Sequence, residues 1–235
     1  MRKKKEYRFK NSIEIEEYVD GCFGARGKKR EEKKKATPEQ VKKQNQLNKA
    51  KNARRRIKNN FEEDDYYWTL TFKKECRPES LEEAKNIWTK LQRKIRAEYK
   101  RQKKEFKWII SIEKGKKGAI HFHIIMNRIE NGDRFIKRLW TYGGVYLRLL
   151  YDNGDYKALA DYITKQPEEG EESYYSHSRN LPIPEPRVKK LKGEWKEITA
   201  YKGYYIEKES IVEGINPVTG YKYRHYTMIR INRRI

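Results

Sequence analysis

Cysteine is nearly absent from the chain: Cys22 and Cys76 are the two in 235 residues, and no CxxC spacing joins them. That excludes a disulfide framework and a zinc ribbon, and it points to a reducing compartment. Long apolar runs are also missing. None approaches the roughly 18 residues that span a bilayer, and no charged-then-apolar leader opens the chain, so neither export nor a place in a membrane is expected. No GxxxxGK[ST] loop occurs, so no built-in helicase is expected. Apolar residues are scarce at 36% while charged residues reach 39%, which calls for a compact core and much chain at a wet or polyanionic surface. Acidic residues are outnumbered, leaving a net charge of +23. Residues 1–60 hold 21 Lys/Arg against 8 Asp/Glu, a net of +13. So lopsided a distribution points to a nucleic-acid partner.

The length suits one sizeable domain with extensions, or at most two small domains. Little regular structure is expected in the first 36 residues, where basic clusters surround the glycines of Gly21 to Gly27. Thr37, Pro38 and Gln40 read as an N-cap, a first-turn proline and the far side of a capping box, opening a helix over about 38–59. Its few apolar positions (Val41, Leu47, Ala50, Ile57) leave two readings open, a solvated helix or one laid against phosphates. Tyr66 to Phe72 (YYWTLTF) reads as a strand. Ser80 and Glu83 form a second capping box, and Ala84, Ile87, Trp88, Leu91 and Ile95 recur at helical spacing toward Arg101. Phe106 to Glu113 and Ala119 to Asn127 are strand-like runs joined by the basic loop Lys114 to Gly118, hence a hairpin. A short helix (about 133–140), a strand (about 145–150) and a helix (about 155–165) follow. After an acidic patch and the loop holding Pro182, Pro184 and Pro186, the Tyr-rich runs Gly203 to Ile211 and Tyr221 to Ile231 read as a terminal hairpin. The expected layout is a basic N-terminal extension over 1–60, a central domain over 61–170 and a C-terminal extension over 171–235 packed on it.

The segment Ala119-Ile120-His121-Phe122-His123-Ile124-Ile125-Met126 carries the chemistry. Side chains alternate along a strand, so His121 and His123 share one face while Ile120, Phe122, Ile124 and Met126 line the other. With the loop centred on Lys117, residue 113 lies opposite residue 121, and cross-strand partners project from the same face. Glu113 then joins the two imidazoles. Two His and one carboxylate can hold a divalent ion and leave positions open for a substrate oxygen; the competing reading is a pair of ordinary hydrogen-bonded histidines. Tyr162 and Lys165 stand three apart, neighbours on one face of a helix. A phenol with an unperturbed pKa of about 10 needs a nearby cation or base to act as a nucleophile, and Lys165 is the local candidate. A tyrosine packed in the core is the alternative.

Trp68 to Phe72 (WTLTF), Glu113 eight residues before His121-Phe122-His123 (HFH), and Tyr162-Ile163-Thr164-Lys165 (YITK) occur in the order of the three motifs of HUH rolling-circle replication initiators, which the chain resembles in its bacterial phage and mobile-element form. Leu139-Trp140 with Gly143-Gly144-Val145, Ser178-Arg179-Asn180-Leu181-Pro182, and Ile57 to Phe61 (IKNNF) add to the likeness, which is strong over residues 61–187. The resemblance implies an α+β fold, an antiparallel sheet flanked by helices in the ferredoxin or RRM-like manner, with the HxH strand central and the tyrosine helix across the metal face. It implies a single-tyrosine DNA nickase that starts rolling-circle replication. Tyr162 would be the nucleophile, His121, His123 and Glu113 the ligands of Mg²⁺ or Mn²⁺, and Lys165 a helper at the phosphate or phenolate. Thr69 and Thr71 would approach DNA or simply pack the sheet. Two-tyrosine relatives carry a second tyrosine where this chain has Ala158, and Tyr156 lies about 120° away round a helix, so one covalent bond per cycle is expected. The implied partners are single-stranded origin DNA and the helicase and polymerase of a bacterial host, with the protein in the cytoplasm. Trp195, Tyr201, Tyr204 and Tyr205 offer faces for unstacked bases, or fill the core. A relaxase or transposase with the same chemistry, a noncatalytic nucleic-acid-binding protein, and a two-His-carboxylate enzyme acting on a small molecule remain as rivals.

Overall fold

Ten strands and four α-helices form among the residues that this computed structural model describes, namely 1–20, 36–151, 155–216 and 220–231. Cys22 and the cluster Lys28 to Lys35 lie outside them. In chain order the elements are β1 (Arg2–Arg8), β2 (Ser12–Val19), α1 (Pro38–Asn60), β3 (Tyr66–Thr71), α2 (Leu81–Arg101), β4 (Trp108–Lys114), β5 (Ile120–Met126), α3 (Gly132–Leu139), β6 (Val145–Leu149), α4 (Lys157–Ile163), β7 (Glu172–His177), β8 (Arg187–Leu191), β9 (Tyr204–Ile215) and β10 (Lys222–Arg230). The strands form two five-stranded antiparallel sheets, ordered β6-β3-β5-β4-β7 and β8-β1-β2-β10-β9. The fold is therefore α+β with antiparallel sheets and flanking helices, as the sequence implied. The chain divides into two compact units, one of Lys49–Asp152 with Tyr156–Pro182, the other of Met1–Asn48, Asn153–Asp155 and Ile183–Ile235.

In the first unit, strict alternation makes a two-faced sheet. Trp68, Leu70, Phe122, Ile124, Ile110 and Ile112 turn to one side and are fully buried. Against them lies α2, started by Ser80, whose hydroxyl accepts from the amide of Glu83 at 3.1 Å. Its buried face reads Ala84, Trp88, Leu91, Ile95 and Tyr99, a spacing of three and four that the 3.6-residue helical repeat requires. Each large side chain so buried contributes on the order of 1.5–3 kcal/mol. On the other side of the same sheet, Ile109 and Ile125 share a smaller core with Ala53, Ile57, Ala160 and Ile163. The C-terminal half of α1 is thus a packed helix; neither reading of α1 as solvated or phosphate-bound foresaw this, because Ala53 and Ile57 give so thin a stripe.

In the second unit the expectation of little regular structure before residue 37 fails for the first twenty residues. β1 and β2 form an antiparallel pair in which Lys4 faces Glu17 and Lys5 faces Glu16. Opposite charges placed across a ladder stabilise it, and a composition-based reading of a basic segment does not see partners that lie further along the chain. The terminal hairpin forms from β9 and β10, and β10 continues onto β2, so the two ends of the chain share one sheet instead of standing as separate extensions. Ile13, Ile15, Tyr226 and Met228 make its apolar centre, with Ile198, Tyr201, Tyr204 and Ile206 packed against it. β7 and β8 were not foreseen.

Candidate active site

β5 is the middle strand of its sheet, and the register of its neighbours assembles the site. Glu113 stands opposite His121 and Ser111 opposite His123 on β4, while on β3 Thr71 stands opposite His121 and Thr69 opposite His123. Directly paired residues point to the same face. The buried Phe122 between the histidines locks β5 so that both imidazoles must face away from the main core.

α4 brings the tyrosine. Its apolar side, Ala160 and Ile163, is sunk in the core shared with Ile109 and Ile125, and the buried Thr164 hydroxyl closes the helix by donating to the carbonyl of Ala160 at 2.7 Å. Tyr162 projects from the remaining side, 43% exposed. Its Oη lies 3.1 Å from His123 Nε2, with the two rings edge to face at 5.1 Å. Glu113 Oε2 lies 3.6 Å from the same nitrogen. The imidazoles of His121 and His123 stand 6.4 Å apart, ring centre to ring centre. Tyr162, His123, Glu113 and His121, from three separate pieces of chain, therefore meet at one place.

On the other nitrogen of His123 the structure adds two residues. Tyr67 Oη lies 3.1 Å and Thr69 Oγ1 3.3 Å from Nδ1, and the Tyr67 ring stacks alongside the imidazole. The role of Tyr67 escaped the sequence reading, although the alternation that put Thr69 and Thr71 on the histidine face puts Tyr67 there too. Thr71 instead accepts a hydrogen bond from the amide of Gly144 at 3.1 Å.

Lys165 lies beyond the end of α4, which stops at Ile163, two residues short of the helix expected. Its ammonium reaches Glu168 Oε1 at 3.5 Å, and among the described residues it makes no hydrogen bond to Tyr162 or to either imidazole. Tyr156 is buried and withdrawn from any second role as nucleophile. Of the aromatic residues considered for bases, Tyr201 donates to Glu6 and accepts from Lys4 within the second unit, Trp195 is flanked by Arg2, Lys222 and Arg224, and Tyr204 packs on that unit's core. Tyr205 remains 46% exposed.

The electrostatics favour neutral rings. Burial, with His123 close by, lowers the pKa of His121 below that of a free imidazole. Burial and the negative Glu113 raise the pKa of Tyr162 above that of a free phenol, and burial drives that of Tyr67 up further. Tyr162 is therefore a protonated phenol at neutral pH, and ionising it needs added positive charge. The donor set of two imidazoles and one carboxylate suits a divalent cation. Among the described residues, however, no three His, Cys, Asp or Glu side chains stand in ready-made metal-ligand geometry. The structure gives the set its face and its register and leaves the last convergence to side-chain rotation. No helix among the described residues is long and apolar enough to cross a membrane.

Residues 65–167, from the start of β3 to just past α4, match the family model of the replication-associated protein ORF2. No curated protein and no solved structure matches the chain.

Proposed function

We propose, starting from this match to a replication-associated family, that the protein is a replication initiator and that it acts as a single-tyrosine nickase of the HUH class. The match spans every residue of the cluster built from β4, β5 and α4. The observation that carries the reading is the 3.1 Å approach of Tyr162 Oη to His123, on the sheet face that also holds His121 and Glu113. The net charge of +23 suits a polyanionic substrate.

In the reaction proposed, Tyr162 Oη forms a bond to phosphorus while the bond from phosphorus to the 3′ oxygen breaks. The phenol proton leaves toward the cluster of Glu113 and His123, and the departing 3′ oxygen gains a proton to become a free hydroxyl. The product is a 5′-phosphotyrosine, which conserves the phosphodiester energy for rejoining. The free 3′ end serves as primer for a host polymerase, and a host helicase separates the strands. His121, His123 and Glu113 would hold Mg²⁺ or Mn²⁺, which supplies charge that offsets the extra negative charge at phosphorus. Tyr67 and Thr69 orient His123: with Nδ1–H donating to their oxygens, Nε2 keeps its lone pair directed into the site. Lys165 enters as a phosphate contact only after releasing Glu168, an exposed pair that costs little to part.

One observation favours a second reading. The absence of a ready-made cage among the described residues suits a noncatalytic protein that binds nucleic acid and keeps the histidines as packed polar groups. Incubation of a random single-stranded DNA pool with the protein separates the two. The nickase reading expects strand cleavage that requires Mn²⁺ or Mg²⁺, stops on addition of EDTA and is lost in His121→Ala. Intact binding without cleavage at any metal concentration would establish the second reading.

A further inference from the structure

The edge strand β6 carries a feature that the nicking chemistry does not use. Its residue Tyr146 is paired with Thr69, which is itself paired with His123. Tyr146 therefore shares the face of the histidines, two strand spacings or roughly 10 Å away, and it is 63% exposed. Two residues on, Arg148 pairs with Tyr67 and projects from that face as well. Arg148 is exposed and has no ion-pair partner among the described residues.

The ring of Tyr146 does not stand free like a flexible surface side chain. It lies back along the strand over Gly144: a methyl group at that position would meet Tyr146 Cε2 at 3.0 Å and Thr71 Oγ1 at 2.7 Å. The missing side chain of Gly144 is what lets the ring settle low against the sheet, beside Thr71, the neighbour of His121. Gly144 is itself fixed, since its amide donates to the Thr71 hydroxyl and its carbonyl accepts from the Thr71 amide at 2.9 Å. The result is an aromatic face, held in place and open to solvent, with an unpaired guanidinium two residues away on one continuous surface with the cluster.

We propose that β6 is a seat for the substrate strand: an unstacked base lies on Tyr146, Arg148 takes a phosphate of the same strand, and the neighbouring phosphate is thereby presented to Tyr162. The occupant is a single strand of DNA, because stacking on an immobilised aromatic ring needs a base outside a duplex, and every base offers such a face. The seat is a positioning device and takes no part in bond making. It rests on the nickase reading for the identity of the strand but can be tested apart from it.

The test measures binding in full-length protein carrying Tyr162→Phe, so that cleavage plays no part. The probes are fluorescein-labelled oligo(dT) and a strand of equal length with abasic spacers in place of the bases, read by fluorescence anisotropy. The expected result is that oligo(dT) binds roughly ten-fold or more tightly than the abasic strand. Tyr146→Ala and Tyr146→Leu should erase most of that advantage and Tyr146→Phe should keep it. Arg148→Gln should weaken both strands alike and flatten the dependence on salt. Unchanged preference for bases in Tyr146→Ala and Tyr146→Leu, both folded by circular dichroism, overturns the proposal and leaves the nickase reading intact. If instead the parent protein never cleaves DNA while the base preference still follows Tyr146, the nickase reading falls and the seat stands.

Discussion

The two sheets have the same number of strands and the same antiparallel pairing, yet they are filled in different ways. In the sheet centred on β5, one face gives a continuous apolar cluster of twenty buried residues, from Tyr66 to Trp140. In the sheet centred on β2, the corresponding cluster is four residues, Ile13, Ile15, Tyr226 and Met228, and many of the other buried positions hold charge. Arg224 meets Glu17 at 3.1 Å with both side chains almost fully buried, Glu6 is buried against Tyr201 and Arg8, and Trp195 sits among three cations. A sheet with ample apolar burial on one side can carry, on the other, polar groups whose positions serve chemistry more than stability. The β5 sheet uses that freedom to present Glu113 and His121 beside Tyr162 on the face away from α2. The β2 sheet has no such surplus and is specified by paired charges.

The largest effect that would break this contrast is in the β5 sheet. Phe122→Ala removes the fully buried ring between the two histidines and should destabilise the protein by about 3–5 kcal/mol, read by urea denaturation; a loss below about 1 kcal/mol would show that the cluster is less tightly packed than its burial indicates. In the β2 sheet, Glu17→Leu alone leaves the Arg224 guanidinium buried without its carboxylate and should cost about 3 kcal/mol. Glu17→Leu with Arg224→Met should recover most of that loss, since a well-packed apolar pair can replace a buried ion pair. If the double variant is no more stable than the single one, the pair is not what organises that sheet. A smaller effect sharpens the picture of the site: Tyr67→Phe keeps the ring and removes the oxygen beside His123 Nδ1. It should weaken Mn²⁺ binding about ten-fold by isothermal titration while leaving the urea midpoint nearly unchanged. Equal losses of stability and of binding would mark Tyr67 as a packing residue.

Much of the β5 sheet was legible in the sequence because its signals are local. The period of two in Ile120 to Met126 fixed the face of the histidines, the loop centred on Lys117 fixed Glu113 opposite His121, and Ser80 with Glu83 fixed the start of α2. The β2 sheet was not legible, because what makes β1 a strand is charge on β2 and what completes β2 is β10, some two hundred residues away. At the site the limits have the same origin. Tyr67 depends on a register between β3 and β5 that no local pattern states. The reach of Lys165 depends on where α4 ends, and two residues at a helix terminus were enough to turn its ammonium toward Glu168.

In the mechanism proposed, Tyr162 and no other tyrosine among the 18 in the chain becomes joined to DNA. The most direct measurement incubates the protein with single-stranded DNA and Mn²⁺, digests both, and locates the nucleotide-bearing peptide by mass spectrometry. One adduct is expected, a 5′-phosphate on Tyr162, absent from Tyr162→Phe, with cleavage lowered at least ~10³-fold in that variant. An adduct on a different residue, or one that persists in Tyr162→Phe, would contradict it.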